Sequence, residues 1–134
     1  MQQLDEHTWV SGQIDLIAIP DLRRHGVTMI VNNRPDGEDA GQPTSAEVAA
    51  AARRAGFAYR HIPIARGIGP SDVEAMQAAM RDCGEGRILA YCRVGMRSAL
   101  TWALARRADG ASREEIEAAA ATAGIDLTPV AHLL

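Results

Sequence analysis

A chain of 134 residues, 47% hydrophobic and 23% charged, is long enough to bury one core of sheet and helices, so a single domain over residues 1–134 is expected and a disordered or disulfide-dependent chain is excluded. Its formal net charge of −3 offers no general attraction to nucleic acid or anionic lipid, which leaves any anion site to local charge. No apolar run reaches membrane-spanning length and the first residues lack the regions of a signal peptide, so a cytoplasmic protein is expected, with Cys83 and Cys92 as reduced thiols.

In chain order, HTWVS (7–11) reads as a short strand. Pro20 confines the next helix to a stretch beginning near it, and Gly26 ends that helix after Arg23, Arg24 and His25. VTMIV (27–31), continuous and β-branched, suits a strand covered on both faces. The loop NNRPDGEDAGQP follows, and then Thr44 with Glu47 forms a capping-box pattern that opens an alanine-rich helix ending at Gly56. FAYRHIPI reads as a strand, with Pro63 at a sheet edge or strand end. After the loop RGIGPS, Ser71 with Glu74 repeats the capping-box pattern for a helix running to about Asp82. RILAY is a strand leading into Cys92, residues 97–107 are helical, and Ser112 with Glu115 opens a last helix that stops at Gly124.

Strands alternating with helices imply an α/β fold, a mostly parallel central sheet flanked by helices. Ligands of such sheets sit beyond the carboxyl ends of the strands, so the segments 32–43, 64–70 and 92–97 are expected to converge. The four scattered histidines (His7, His25, His61, His132) and two cysteines show no metal-ligand spacing, and no metal or other cofactor is expected.

The segment ILAYCRVGMRSALTWALA (88–105) carries the chemistry. A strand-to-helix loop presents consecutive backbone N–H groups to an anion, and the helix start adds partial positive charge. Gly95 permits the tight turn, Arg97 offers a planar fork for a tetrahedral oxyanion, and Cys92 lies in the same field, where a thiolate is favoured. The backbone at Arg93, Val94, Gly95 and Met96 would form the cradle. Cys83, beside Gly84 at a helix end, has no such setting, so a packing role is favoured over that of a resolving thiol.

At VSGQ (10–13), NNRPDGE (32–38), QPTSAEVAAAARRAGFAYRHIP (42–63) and CRVGMRS, the chain resembles the phosphatase-like domain family of the beta-lactamase-hydrolase-like proteins. The resemblance covers roughly residues 2–108 and implies a tyrosine-phosphatase-like three-layer sandwich. It also implies Cys92 as nucleophile, Arg97 as oxyanion binder, and Ser98 as a hydroxyl that stabilises the thiolate leaving group. The substrate would be a small anionic compound or a phosphorylated residue, with no nucleic acid and no membrane involved.

Departures from the phosphatase pattern are as informative. Four residues, not five, separate Cys92 from Arg97, and Tyr91 stands where those enzymes carry a histidine. IPIARG offers Ala65 and Arg66 where many dual-specificity phosphatases place an aspartate general acid. Asp36 is the first candidate substitute and Glu38 the second, although Pro-Asp-Gly is equally a common turn. Asp72 is expected in a first helical turn, complementing the dipole. Arg34 and Arg66 are candidates for recruiting the anion, and His61 is expected to be packed. Cysteine, four residues and arginine is also the rhodanese spacing, so a sulfurtransferase carrying a persulfide on Cys92 is the alternative function. A non-catalytic anion-binding or partner-binding module is the third. Oligomeric state is not legible.

Overall fold

The computed structural model describes all of residues 1–134. Five strands form one sheet: β1 (Gln2–Asp5), β2 (Thr8–Ser11), β3 (Val27–Asn32), β4 (Ala58–His61) and β5 (Arg87–Tyr91), in the spatial order β1-β2-β5-β3-β4. β2, β5, β3 and β4 run parallel, and β1 is antiparallel at one edge. The helices are α1 (Ser45–Arg54), α2 (Pro70–Cys83), α3 (Met96–Ala108) and α4 (Arg113–Ala123), with 3-10 segments at Leu16–His25 and Thr128–Leu133. None is long and apolar enough to cross a membrane.

Strand alternation sorts the core into two layers. Met29, Val31, Ile88 and Ala90 face one side with Val10, where they bury Met76 of α2, Trp102 and Ala103 of α3, and Ile116 of α4. Ile30, Leu89 and Tyr91 face the other side, against Ile19 and Leu22 of the first 3-10 segment and Val48 and Ala52 of α1. This is the expected three-layer arrangement. α3 is the helix most enclosed: every residue from Ser98 to Ala105 is buried, and the small Ser98, Ala99, Ala103 and Ala105 let its backbone lie close to its neighbours.

The boundaries differ from expectation where local signals were weak or misplaced. β1 escaped notice because QQLD contains one apolar residue, Leu4, which is buried. The helix at 16–25 begins before Pro20 because Asp15 caps it, its side chain accepting from the Ile17 N–H. Ser71 is not a cap: α2 starts at Pro70, and Asp72 instead accepts from the Gly69 N–H at 2.8 Å, which is the dipole-complementing place expected for that carboxylate. The Thr44–Glu47 capping box is present in both directions, and Ser112 accepts from the Glu115 N–H. The strand expected over 57–64 shortens to Ala58–His61 on the sheet edge, with Pro63 just outside it.

All four parallel strands end on one side, and backbone hydrogen bonds carry their alignment into the loops beyond. Asn33 N–H donates to Tyr91 O at 2.8 Å, Ile62 N–H to Asn32 O at 2.8 Å, Ile64 N–H to Asn33 O at 3.0 Å, and Gln13 N–H to Arg93 O at 3.2 Å. The three segments expected to converge are therefore stitched together before any side chain is considered.

Candidate active site

Cys92 leaves β5 at the sheet's carboxyl end and is fully buried. The chain turns at Gly95, whose φ of 93° lies in the left-handed region, and α3 starts at Met96. Gly95 N–H points back to Cys92 Sγ at 3.1 Å, so the sulfur accepts one backbone hydrogen bond from its own loop. The amides of the loop residues Arg93 and Val94 have no acceptor within the protein, nor do those of Met96 and Arg97, which open α3. A row of unspent donors thus follows the sulfur in the chain.

The loop rests on the exit of β2. A Cβ at Gly12 would stand 2.9 Å from Arg93 O, and one at Gly95 would meet Ser11 C at 3.3 Å. Both glycines allow two backbones to touch. VSGQ thereby becomes part of the wall of the cradle, which its position 80 residues upstream conceals.

Arg97, in the first turn of α3, is three-quarters buried and makes three hydrogen bonds. Its Nη1 donates to Glu38 Oε2 at 2.8 Å and to Ile64 O at 2.6 Å, and its Nη2 donates to Glu38 Oε1 at 2.9 Å. A carboxylate thus fills the fork that a substrate oxyanion would need. The hydrogen bond from Arg97 is the largest influence on Glu38, outweighing partial burial, and with help from Arg34 it holds the carboxyl at about 2. Reciprocally, Glu38 raises the affinity of Arg97 for its proton against the cost of burial, and the Cys92 sulfur adds to the effect. Arginine and sulfur therefore share one electrostatic site.

The structure redistributes several expected roles. Asp36 Oδ1 accepts from Ser45 N–H at 2.7 Å, so this carboxylate closes the start of α1 and is engaged there; the acid brought against Arg97 is Glu38, the second candidate. Ser98 Oγ has one proton, and it goes to Asn33 Oδ1 at 2.7 Å rather than to the sulfur. Arg34 is not a free recruiting cation: its side chain is 4% exposed and binds Glu38, Asp39 and Gln13. Arg93 is exposed and pairs loosely with Asp39 at 3.5 Å, while Val94 and Met96 face outward. Arg66 is exposed on the loop after β4, with no ion pair.

His61 is packed, as expected, its Nε2 at 2.9 Å from Arg34 O. Tyr91 lies in the core, where burial above all raises its phenol's affinity for the proton and keeps it neutral. Cys83 belongs to the opposite end of the sheet, separated from Cys92 by the five-residue β5, about 16 Å of strand. No disulfide spans that distance, which removes the resolving-thiol role within one chain.

The residue that sequence reasoning passed over is Asn33. Wholly buried, it accepts from Ser98, donates its Nδ2 to Ile62 O at 3.0 Å, and uses both backbone groups to hold Tyr91 and Ile64. One residue thereby ties the ends of β3 and β5, the loop after β4 and the start of α3. An asparagine directly following an apolar strand was the available signal.

Three comparisons accord with this geometry. A family model described as beta-lactamase hydrolase-like protein, phosphatase-like domain, matches residues 1–109. A beta-lactamase hydrolase-like protein of Xylella fastidiosa is 38% identical over 126 residues, 92% of this chain, and the chain spans 29% of that relative's length. The solved structure of nma1982 from Neisseria meningitidis, provisionally called a phosphatase, is 34% identical with a TM-score of 0.79, covering 98% of this chain and 93% of that one. Human DUSP28, at 20% identity, shares the fold with a TM-score of 0.71 over 98% of this chain and 90% of its own.

Proposed function

The chain belongs to the phosphatase-like domain family of beta-lactamase hydrolase-like proteins and has the tyrosine and dual-specificity phosphatase fold, and from that premise we propose that it is a cysteine-dependent hydrolase of small anionic phosphate esters. The observation that carries the reading is the joint placement of Cys92 Sγ, the unspent loop amides and Arg97 at the head of the buried α3.

Cys92 attacks phosphorus as the thiolate, the S–P bond forms as the ester P–O bond breaks, and the leaving oxygen departs with the bonding pair. Loop amides and Arg97 hold the equatorial oxygens as charge develops on them. Water then displaces the thiolate from the cysteinyl phosphate and releases inorganic phosphate. In the ligand-free site Arg97 and Arg34 hold Glu38 ionised and Asp36 is engaged at α1, so neither carboxyl stands ready as a proton donor. Esters whose leaving group needs little protonation, such as aryl phosphates, are therefore the favoured class. Hydrolysis of an aryl phosphate by the wild type, absent in Cys92→Ser, is the expected result; equal rates in both would refute the reading. Asp36→Asn, a third sample, keeps the wild-type rate if that carboxylate only caps α1.

The engagement of both loop carboxylates favours a second reading, sulfur transfer, which needs no acid. Cys92 thiolate would attack the outer sulfur of a sulfane-sulfur donor such as thiosulfate, forming one S–S bond as another breaks and releasing sulfite. A mass gain of one sulfur atom on wild-type protein, absent in Cys92→Ser, is its test.

A further inference from the structure

An apolar groove of about 350 Å³ opens against Arg97, on the flank of that residue formed by the loop after β4. Leu100 and Leu104 of α3 line it together with Ile64 and Ile68 of the loop, and Val130 and Leu133 of the C-terminal 3-10 segment close its far wall. Its size falls in the usual range of small-ligand pockets, about 300–1,000 Å³. Arg97 and His132 are its ionisable lining residues, and no acidic side chain faces it. The Arg97 end is thus cationic and shared with the anion site, and apart from His132 on the far wall the other lining side chains are apolar.

This asymmetry matches one kind of molecule. A fully polar phosphate ester would leave the apolar walls without a partner, and a neutral hydrophobe would make no use of Arg97. We infer that the site takes an amphiphilic phosphate monoester, its phosphate held by the Cys92–Arg97 loop and its alkyl or aryl arm lying in the groove between α3 and the C-terminal 3-10 segment. The inference rests on the phosphatase reading for the fate of the head group, and on the groove alone for the choice of arm.

The far wall lies at residues 129–133, beyond the stretch 1–109 matched by the family model. Head-group chemistry therefore belongs to the matched region, and the groove for the arm is shared between that region and a segment outside it. Leu133, 55% exposed although apolar, has surface left to bury against a ligand.

The experiment is calorimetric titration of the 134-residue Cys92→Ser protein, which cannot turn over, with ethyl, butyl and hexyl phosphate. Affinity is expected to rise by about tenfold or more from ethyl to hexyl, as even partial burial of four methylenes requires. The rise is expected to vanish in Cys92→Ser variants that also carry Leu133→Glu or Ala65→Glu, two exposed positions on the groove. It is expected to persist with Ile17→Glu, 86% exposed on a different element and outside the groove. Flat or undetectable binding across the series, or a chain-length effect that survives both groove substitutions, overturns the inference. Hydrolysis of an aryl phosphate by the wild-type protein tests the other reading separately: failure there removes the phosphatase function, and the binding series still decides the groove.

Discussion

Arg97 and Glu38 form a two-bond, fork-to-carboxylate pair, Nη1 to Oε2 at 2.8 Å and Nη2 to Oε1 at 2.9 Å. The geometry is that of arginine holding an oxyanion, with the oxyanion supplied by the protein's own loop between β3 and α1. An incoming anion that takes the Nη1–Nη2 side of the fork must displace that carboxylate. Glu38→Gln removes the competing charge and is expected to tighten binding of inorganic phosphate by about fivefold, the equivalent of roughly 1 kcal/mol for a partly exposed ion pair. Competitive inhibition by phosphate, or direct titration where turnover is slow, reads the change. Weaker binding in Glu38→Gln would mean that the carboxylate organises Arg97 for the ligand instead of competing with it.

The same pair predicts an acid-dependent stability. The Glu38 carboxyl is held at about 2, below its ordinary 4.5, so the stabilisation is present in full above 4.5 and is lost as pH falls toward 2. After solvent screening the effect is on the order of 1 kcal/mol. Urea unfolding between pH 6 and pH 2 is expected to show wild type losing stability more steeply than Glu38→Gln below pH 4.5. Parallel curves would argue against a stabilising ion pair.

Ser98→Ala separates a structural role from a chemical one. The substitution leaves the wholly buried Asn33 Oδ1 without its hydroxyl donor, at an expected cost of about 1–3 kcal/mol in unfolding free energy. Slower breakdown of a phosphorylated Cys92 with unchanged stability would instead restore the hydroxyl to the sulfur.

Gly12→Ala tests the wall between β2 and the cradle. Its new methyl would stand 2.9 Å from Arg93 O, a backbone atom that cannot rotate aside, so the loop must move. A stability loss of about 1–3 kcal/mol is expected from overpacking, together with weaker phosphate binding. Unchanged phosphate affinity would show that the cradle tolerates the displacement.

The sheet and the Cys92 loop were legible because each rests on local pattern. VTMIV and RILAY are short apolar runs, and CRVGMRS joins a strand end, a glycine and an arginine within one turn. What escaped was set by contacts across the chain. Asp36 and Glu38 are two residues apart in one polar loop, and only folding sends the first to Ser45 and the second to Arg97. Ser98 reads as a neighbour of the sulfur until Asn33, 65 residues earlier in the chain, claims its proton. Ser71 and Glu74 match a capping pattern, but Pro70 and Asp72 start the same helix by another route. Arg34 reads as an anion-recruiting loop cation because its three acceptors, Gln13, Glu38 and Asp39, come together only through the tertiary fold.

Arg34 also decides what becomes of Glu38 when the anion site fills. Its Nε donates to Glu38 Oε1 at 2.9 Å, the same oxygen that Arg97 Nη2 uses. A carboxylate expelled from Arg97 is therefore not cast into an apolar wall, since a second guanidinium, already buried and braced by Gln13, continues to hold it. Filling and emptying the site then resembles a change of partners among two arginines and two anions, in which total charge contact is conserved and only a small shift of one side chain is asked of the fold.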